Sequence, residues 1–140
     1  MPRLRLPSCL LLLLAACGGD GGRLPSGTPV TFHFKMRGAA SSEDFHAEAR
    51  SEAAVSMARA QLQLPVEQRR LFATGTLEAG NGGNLGWSWH LTDLALVESA
   101  VELCDGKPSL VEADLAYWLG TVRSFCPWSS YVHAEVRQGR

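Results

Sequence analysis

A chain of 140 residues has room for one modest hydrophobic core and no more. Its 13 basic side chains face 14 acidic ones, for a net charge of −1. That balance excludes the cationic footprint of a nucleic-acid binder and gives no charge-based grip on an anionic surface.

The first element in chain order is an export signal. Arg3 and Arg5 precede an unbroken apolar run, Cys9–Cys17, that ends in small residues. The run is far shorter than the ~20 residues a bilayer-spanning helix needs, and no later segment is long and apolar enough to cross a membrane. Leu14-Ala15-Ala16-Cys17 resembles the lipobox of bacterial lipoproteins. The resemblance implies removal of residues 1–16 as a signal peptide. It also implies acyl chains, palmitate among them, on Cys17, and so a lipid-anchored protein of the bacterial cell envelope on its extracytoplasmic side. Acylation of that kind exceeds the two signals that stable anchoring takes. Residues 17–29 then form a flexible tether that opens with Gly18-Gly19-Asp20-Gly21-Gly22. Residues 30–140 form the single domain. The 124 residues left after cleavage carry 11 basic and 14 acidic side chains, which moves the charge to about −3.

The four cysteines sort themselves. Cys9 leaves with the signal and Cys17 takes lipid, so Cys104 and Cys126 remain for one disulfide in an oxidising compartment. Closing a loop of about 22 residues stabilises a fold by roughly 3 kcal/mol on the chain-entropy estimate. Neither cysteine has the C-x-x-C spacing of a zinc or redox motif.

Thr28–Met36 alternates strictly, with Val30, Phe32, Phe34 and Met36 on one face and Thr31, His33 and Lys35 on the other, which predicts a half-buried antiparallel strand. Residues 42–64 admit two readings. Propensity favours one long helix with Phe45, Ala49, Ala53, Met57 and Ala60 down one side. The other reading makes Asp44–Ala49 a strand that pairs back onto the first, followed by a helix capped at Ser51 and ended by Pro65. Leu71–Leu77 and Gly86–Leu91 read as a hairpin with a long tip, Glu78–Asn84, rich in Gly and Asn. That tip has neither the lysine nor the glycine order of a phosphate cradle.

Asp93–Ser99 reads as a helical turn and Ala100–Cys104 as a further strand. Ser109-Leu110-Val111-Glu112, behind Pro108, has the form of a capping box. The helix it opens buries Val111, Leu115, Trp118 and Leu119 and stops at Gly120. Tyr131–Val136 alternates again and closes the fold. The order predicts an α+β domain, an antiparallel sheet of about five to six strands with two helices packed on one face.

Three blocks carry a family resemblance: Gly86-Trp87-Ser88-Trp89-His90-Leu91, Val101-Glu102-Leu103-Cys104-Asp105-Gly106 and Phe125-Cys126-Pro127-Trp128-Ser129-Ser130. Together they resemble the BP-seventy-four N-terminal domain, a family of small exported domains, over roughly Val30 to Val136. The resemblance implies paired cysteines and a strand, a turn and a second strand before the first helix, so it favours the split reading of residues 42–64. It implies no established reaction. The chain departs from the family pattern at Glu78–Asn84, which is glycine-rich here and often proline-rich elsewhere.

His90 is the leading candidate for chemistry. It points away from the Trp89 face, and hairpin pairing can bring it to Asp93, Glu102 or Asp105, half of an acid–base pair with Ser88, Ser129 or Ser130 as candidate nucleophiles. None of these serines sits in a nucleophile elbow, so the bland outcome is a structural histidine. His33 and His46 can face one another across the first hairpin. The scattered histidines form no metal-binding pair of known spacing, and no metal or other cofactor is expected. Trp118 belongs to the core, whereas Trp87 and Trp128 can form an aromatic platform for a sugar, peptide or protein.

The functional expectation is a lipid-anchored module that binds a protein or glycan ligand, with Trp87, His90 and Trp128 as binding residues and membrane contact through Cys17. The alternatives are a small hydrolase using His90 with Asp105 or Glu102, and a protease inhibitor presenting Gly80–Asn84. A loop so rich in glycine looks too flexible for the latter.

Overall fold

The computed structural model describes residues 28–137. Cleavage at Cys17, its lipidation and nearly all of the tether lie outside these residues. Six strands form two antiparallel three-stranded sheets. In one sheet β1 (Val30–Met36) lies between β2 (Phe45–Ala49) and β6 (Ser130–Glu135); in the other β3 (Phe72–Ala79) lies between β4 (Trp89–Val97) and β5 (Ser124–Phe125). The α+β class stands, but the single sheet resolves into two. Both supply apolar faces to one core: Phe32, Phe34, Phe45 and Val132 from the first, Phe72, Leu77, Trp89, Leu91 and Phe125 from the second. Phe125 is the hub, with ring centroids 5.9 Å from Phe45, 5.3 Å from Trp89 and 5.9 Å from Trp118. Burying two apolar sheet faces against each other removes both from water, a layer solution open to any pair of half-buried sheets.

Residues 42–64 follow the split reading. β2 pairs antiparallel with β1, and α1 (Glu52–Leu62) begins after Ser51, whose hydroxyl accepts the Ala54 N–H at 3.1 Å. Ala54 and Ala58 bury the inner stripe of α1 against strands of both sheets. Arg69 fastens its far end, donating to the carbonyls of Leu64 (2.9 Å) at the helix C-terminus and Val132 (3.1 Å) on β6.

Four local expectations are corrected. Asp93–Val97 is not helical: β4 continues through it across a bulge, where Asp93 takes φ 53° and two β4 residues oppose the one residue Gly75. The extra residue moves the buried positions from Trp89 and Leu91 to Leu94 and Leu96, and the resulting spacing of three mimics helical periodicity. Ala100–Cys104 is no strand. It ends in a 3-10 turn, Glu102–Cys104, that carries Cys104 to its disulfide with Cys126, Cα–Cα 5.1 Å.

The third correction concerns the capping box, which does not form. α2 (Pro108–Ala113) starts with Pro108 in its first turn, and Glu43 reaches in from the β1–β2 connection to accept Ser109 N–H at 3.0 Å and Ser109 O–H at 2.6 Å. Glu112 is thereby left to hold Ser88, accepting its N–H at 3.0 Å and its O–H at 2.7 Å. Finally, Gly120 does not stop the helix. After α3 (Leu115–Tyr117) the chain passes through a π turn, Trp118–Val122, and ends at Arg123 in the left-handed region, φ 64°. Two-residue β5 follows at once, too short for its pattern to be read from sequence.

Candidate functional site: a histidine row beside a cationic groove

Strand alternation puts the polar residues of the β2-β1-β6 sheet on its outer face. On β1 these are Thr31, His33 and Lys35, on β2 His46 and Glu48, and β6 adds Tyr131 and His133. The pairing register sets His33 directly opposite His46, and their rings stack with centroids 4.9 Å apart. A bulge in β6 does the rest. The β1–β6 register slips between His33 and Phe34, leaving His133 as the extra residue, and its ring meets the His33 ring edge-on at 5.2 Å. Three imidazoles therefore form a row across three strands. The facing of His33 and His46 was legible from the hairpin; the entry of His133 depended on a bulge that no periodicity announces.

Asp44, just before β2, engages the middle ring of the row. Its Oδ2 accepts from His33 Nε2 at 3.0 Å and lies 4.0 Å from Lys35 Nζ. The Nδ1 atoms of His46 and His133 are buried without a hydrogen-bond partner among the described residues. Burial lowers the pKa of both rings below the ordinary 6.5. Repulsion from His33 adds to this for His46, repulsion from Lys35, His33 and Arg69 adds for His133, and Asp44 opposes it in each. The rings lie flat on or edge-on to one another, so their nitrogens do not converge. Among the described residues no three His, Cys, Asp or Glu side chains are arranged to hold a metal ion.

Beside the row lies a groove of about 460 Å³ whose lining includes Lys35, Arg37, Ser41, Asp44, Val66 and Tyr131. Arg37 is held rigidly. Its Nη2 donates to the carbonyls of Val66 (3.0 Å) and Arg69 (2.7 Å), and its guanidinium lies 4.6 Å above the centre of the Tyr131 ring. A volume of this size suits a small molecule or the end of a larger one.

Of the residues singled out from the sequence, Trp87 braces this face, and Trp87, His90 and Trp128 all lie off the groove. Trp87 is half-buried, pairs with Trp89 at 5.9 Å, and donates its indole N–H to the Asp44 carbonyl at 2.9 Å. Trp128 is 45% exposed, its backbone N–H held by Asp105 at 2.9 Å. No ring contact joins it to Trp87 among the described residues. Asp105 is thus committed to Trp128 rather than to His90. His90 meets neither Asp105 nor Glu102: its Nδ1–H donates to the Gly80 carbonyl at 2.7 Å and its Nε2 lies 3.9 Å from Glu78.

The Gly80–Asn84 loop is correspondingly tied down instead of flexible. Gly82, at φ 46°, packs so closely on the His90 ring that a Cβ there would collide with it. Asn84, 1% exposed, accepts the His46 N–H at 2.8 Å and donates to the Trp89 carbonyl at 3.0 Å. The loop read from the sequence as a long hairpin tip is a clasp. Asn84 and Trp87 fix the backbone of both β2-side site residues, His46 and Asp44. Composition alone gave no signal for that role.

Comparison with known proteins matches the BP-seventy-four N-terminal domain over residues 28–139. The chain belongs to this family. No curated protein and no solved structure was found to match the chain. The matched span takes in both sheets, the disulfide and the histidine row, so the family domain and the described fold coincide.

Proposed function

We propose that this member of the BP-seventy-four N-terminal domain family is the exported, lipid-anchored part of a recognition system, held at a membrane surface through Cys17 and binding a ligand on the outer face of its β2-β1-β6 sheet. The observation that carries the reading is the groove and row together. Seven polar residues — Lys35, Arg37, Asp44, His33, His46, His133 and Tyr131 — gather on one sheet face, braced from behind by Asn84 and Trp87. Binding sites are built from a few polar groups held in place by a rigid scaffold. Attachment by lipid leaves that face free of any duty toward the membrane.

Growth of an expressing bacterium with an alkyne palmitate analogue tests the anchor. Label and membrane fractionation are expected for the full chain, and both are expected to vanish in Cys17→Ala. A Cys17→Ala protein that still carries label overturns the anchor.

One observation favours a hydrolytic reading as the second choice. His33 and Asp44 make the 3.0 Å imidazole–carboxylate contact of an acid–base pair, and Ser41 lines the adjoining groove. Turnover of p-nitrophenyl acetate above background, lost in both His33→Gln and Ser41→Ala, would establish it. Equal rates in all three proteins would remove it. The His90 pairing gains no such support, since Gly80 and Gly82 occupy its ring.

A further inference from the structure

We infer that the groove at the end of β1, walled by the β1–β2 connection, Val66 and Tyr131, is a subsite for a small oxyanion, a carboxylate or phosphate group of the bound ligand; this rests on the reading of that face as the recognition surface. Lys35 on β1 and Arg37, one residue past its end, both line the groove. Arg37 is already immobilised by two backbone carbonyls and the Tyr131 ring, both carbonyl bonds being made by Nη2. The N–H groups of Nη1 and Nε make no hydrogen bond among the described residues. A guanidinium fixed in this way binds an anion without first losing its rotamer freedom, and its remaining Nε and Nη1 hydrogens are available for single charge-assisted bonds to an oxyanion.

Lys35 Nζ stands 4.0 Å from Asp44, beyond hydrogen-bond reach, so its three N–H donors are open to a better acceptor. Ser41 and Tyr131 line the same groove, and neither hydroxyl donates to another described residue. Against these donors the groove has one carboxylate, Asp44, and that group is engaged by His33 at 3.0 Å. Donors outnumber acceptors and positive charge exceeds negative. A neutral polyol would leave most of those donors half-used, whereas an oxyanion accepts from all of them.

The test is a ¹⁵N-resolved titration of the disulfide-intact protein at constant ionic strength. Its arms are inorganic phosphate, sodium acetate and sodium glucuronate, with methyl glucoside and sodium chloride as neutral and screening controls. Saturable shifts are expected at residues 35–44 and at Tyr131, in the phosphate arm if the subsite prefers a dianion and in the acetate and glucuronate arms if it prefers a carboxylate. Lys35→Gln is expected to weaken binding about tenfold, equivalent to ~1.4 kcal/mol. Asp44→Asn, which removes the competing carboxylate while keeping a hydrogen-bond acceptor for His33, is expected to strengthen it several-fold. Tyr131→Phe deletes one hydroxyl and is expected to weaken it by about threefold without touching the fold. No saturable shift with any anion, shifts reproduced by chloride, or unchanged affinity in Lys35→Gln would overturn the subsite. Binding of methyl glucoside alone at residues 35–44 would overturn the oxyanion while leaving the recognition face standing.

Discussion

At the scale of single residues, the histidine row makes the folded state sensitive to acid. His46 and His133 hold their protons less tightly in the fold than the ordinary 6.5, burial being the first cause for each. The unfolded chain therefore takes up protons at a pH where the folded chain does not yet. Stability is fully present above about pH 6.5 and is lost as pH falls through the window below it, because ν for the unfolded state exceeds ν for the native state there. The groups around the rings set the size of the effect: His33, Lys35 and Arg69 deepen it and Asp44 relieves it. The thermal midpoint is expected to drop by a few degrees between about pH 7 and about pH 5, on the order that 1 kcal/mol produces in a domain this size. His46→Gln combined with His133→Gln is expected to flatten that slope. An equal slope in the double variant would place the acid sensitivity elsewhere.

At the scale of elements, the strands were legible where alternation ran unbroken and illegible where a bulge interrupted it. β1 and β6 lie within one or two residues of the limits their patterns give, because each keeps one apolar face toward the core. β2, where propensity favours a long helix, reads as a strand from the family resemblance. β4 was half lost. The residue inserted at Asp93 changes the buried spacing from two to three, and a rule that counts periodicity has no means of telling a bulged strand from a helical turn. The capping box failed for another reason: Glu43, remote in sequence, satisfied the helix start before Ser109 was called on to do so. The site obeyed the same division. The His33–His46 contact follows from a two-stranded register, whereas His133 and the Asn84 clasp belong to tertiary geometry. Gly75 is the counterpart of the β4 bulge and cannot take a side chain. A Cβ there would lie 2.6 Å from the Thr92 carbonyl oxygen, and that contact is to backbone, which has no rotamer to yield. Gly75→Ala is expected to destabilise the domain by about 2 kcal/mol or more, in the range of strain and overpacking in a well-packed interior. A urea denaturation midpoint unchanged from the parent protein would show that the bulge reshapes freely.

At the scale of the whole molecule, one buried side chain joins the two sheets beside the proposed recognition face. Asn84 takes the His46 N–H from β2 and gives its own N–H to Trp89 at the start of β4. It is the only amide side chain that is fully buried among the described residues. Its neighbour Trp87 adds the bond to the Asp44 carbonyl, so the β3–β4 loop controls where both Asp44 and His46 stand. Removing the carboxamide leaves one donor and one acceptor buried without partners, at about 1–3 kcal/mol each, more than a lost hydrogen bond alone. Asn84→Ala is expected to lower stability by about 3 kcal/mol in chemical denaturation. Folded Asn84→Ala protein is also expected to bind anions in the groove several-fold more weakly, although Asn84 does not line it. His90→Ala supplies the comparison. It loosens the tip at Gly80 but leaves the Asn84 bonds intact, so it should lower stability without moving groove affinity. If both variants lost stability and neither lost affinity, the clasp would be holding the sheets together and contributing nothing to the site. If Asn84→Ala alone lost affinity, the loop would be acting on the ligand through Asp44 and His46, beside the strand that carries Lys35.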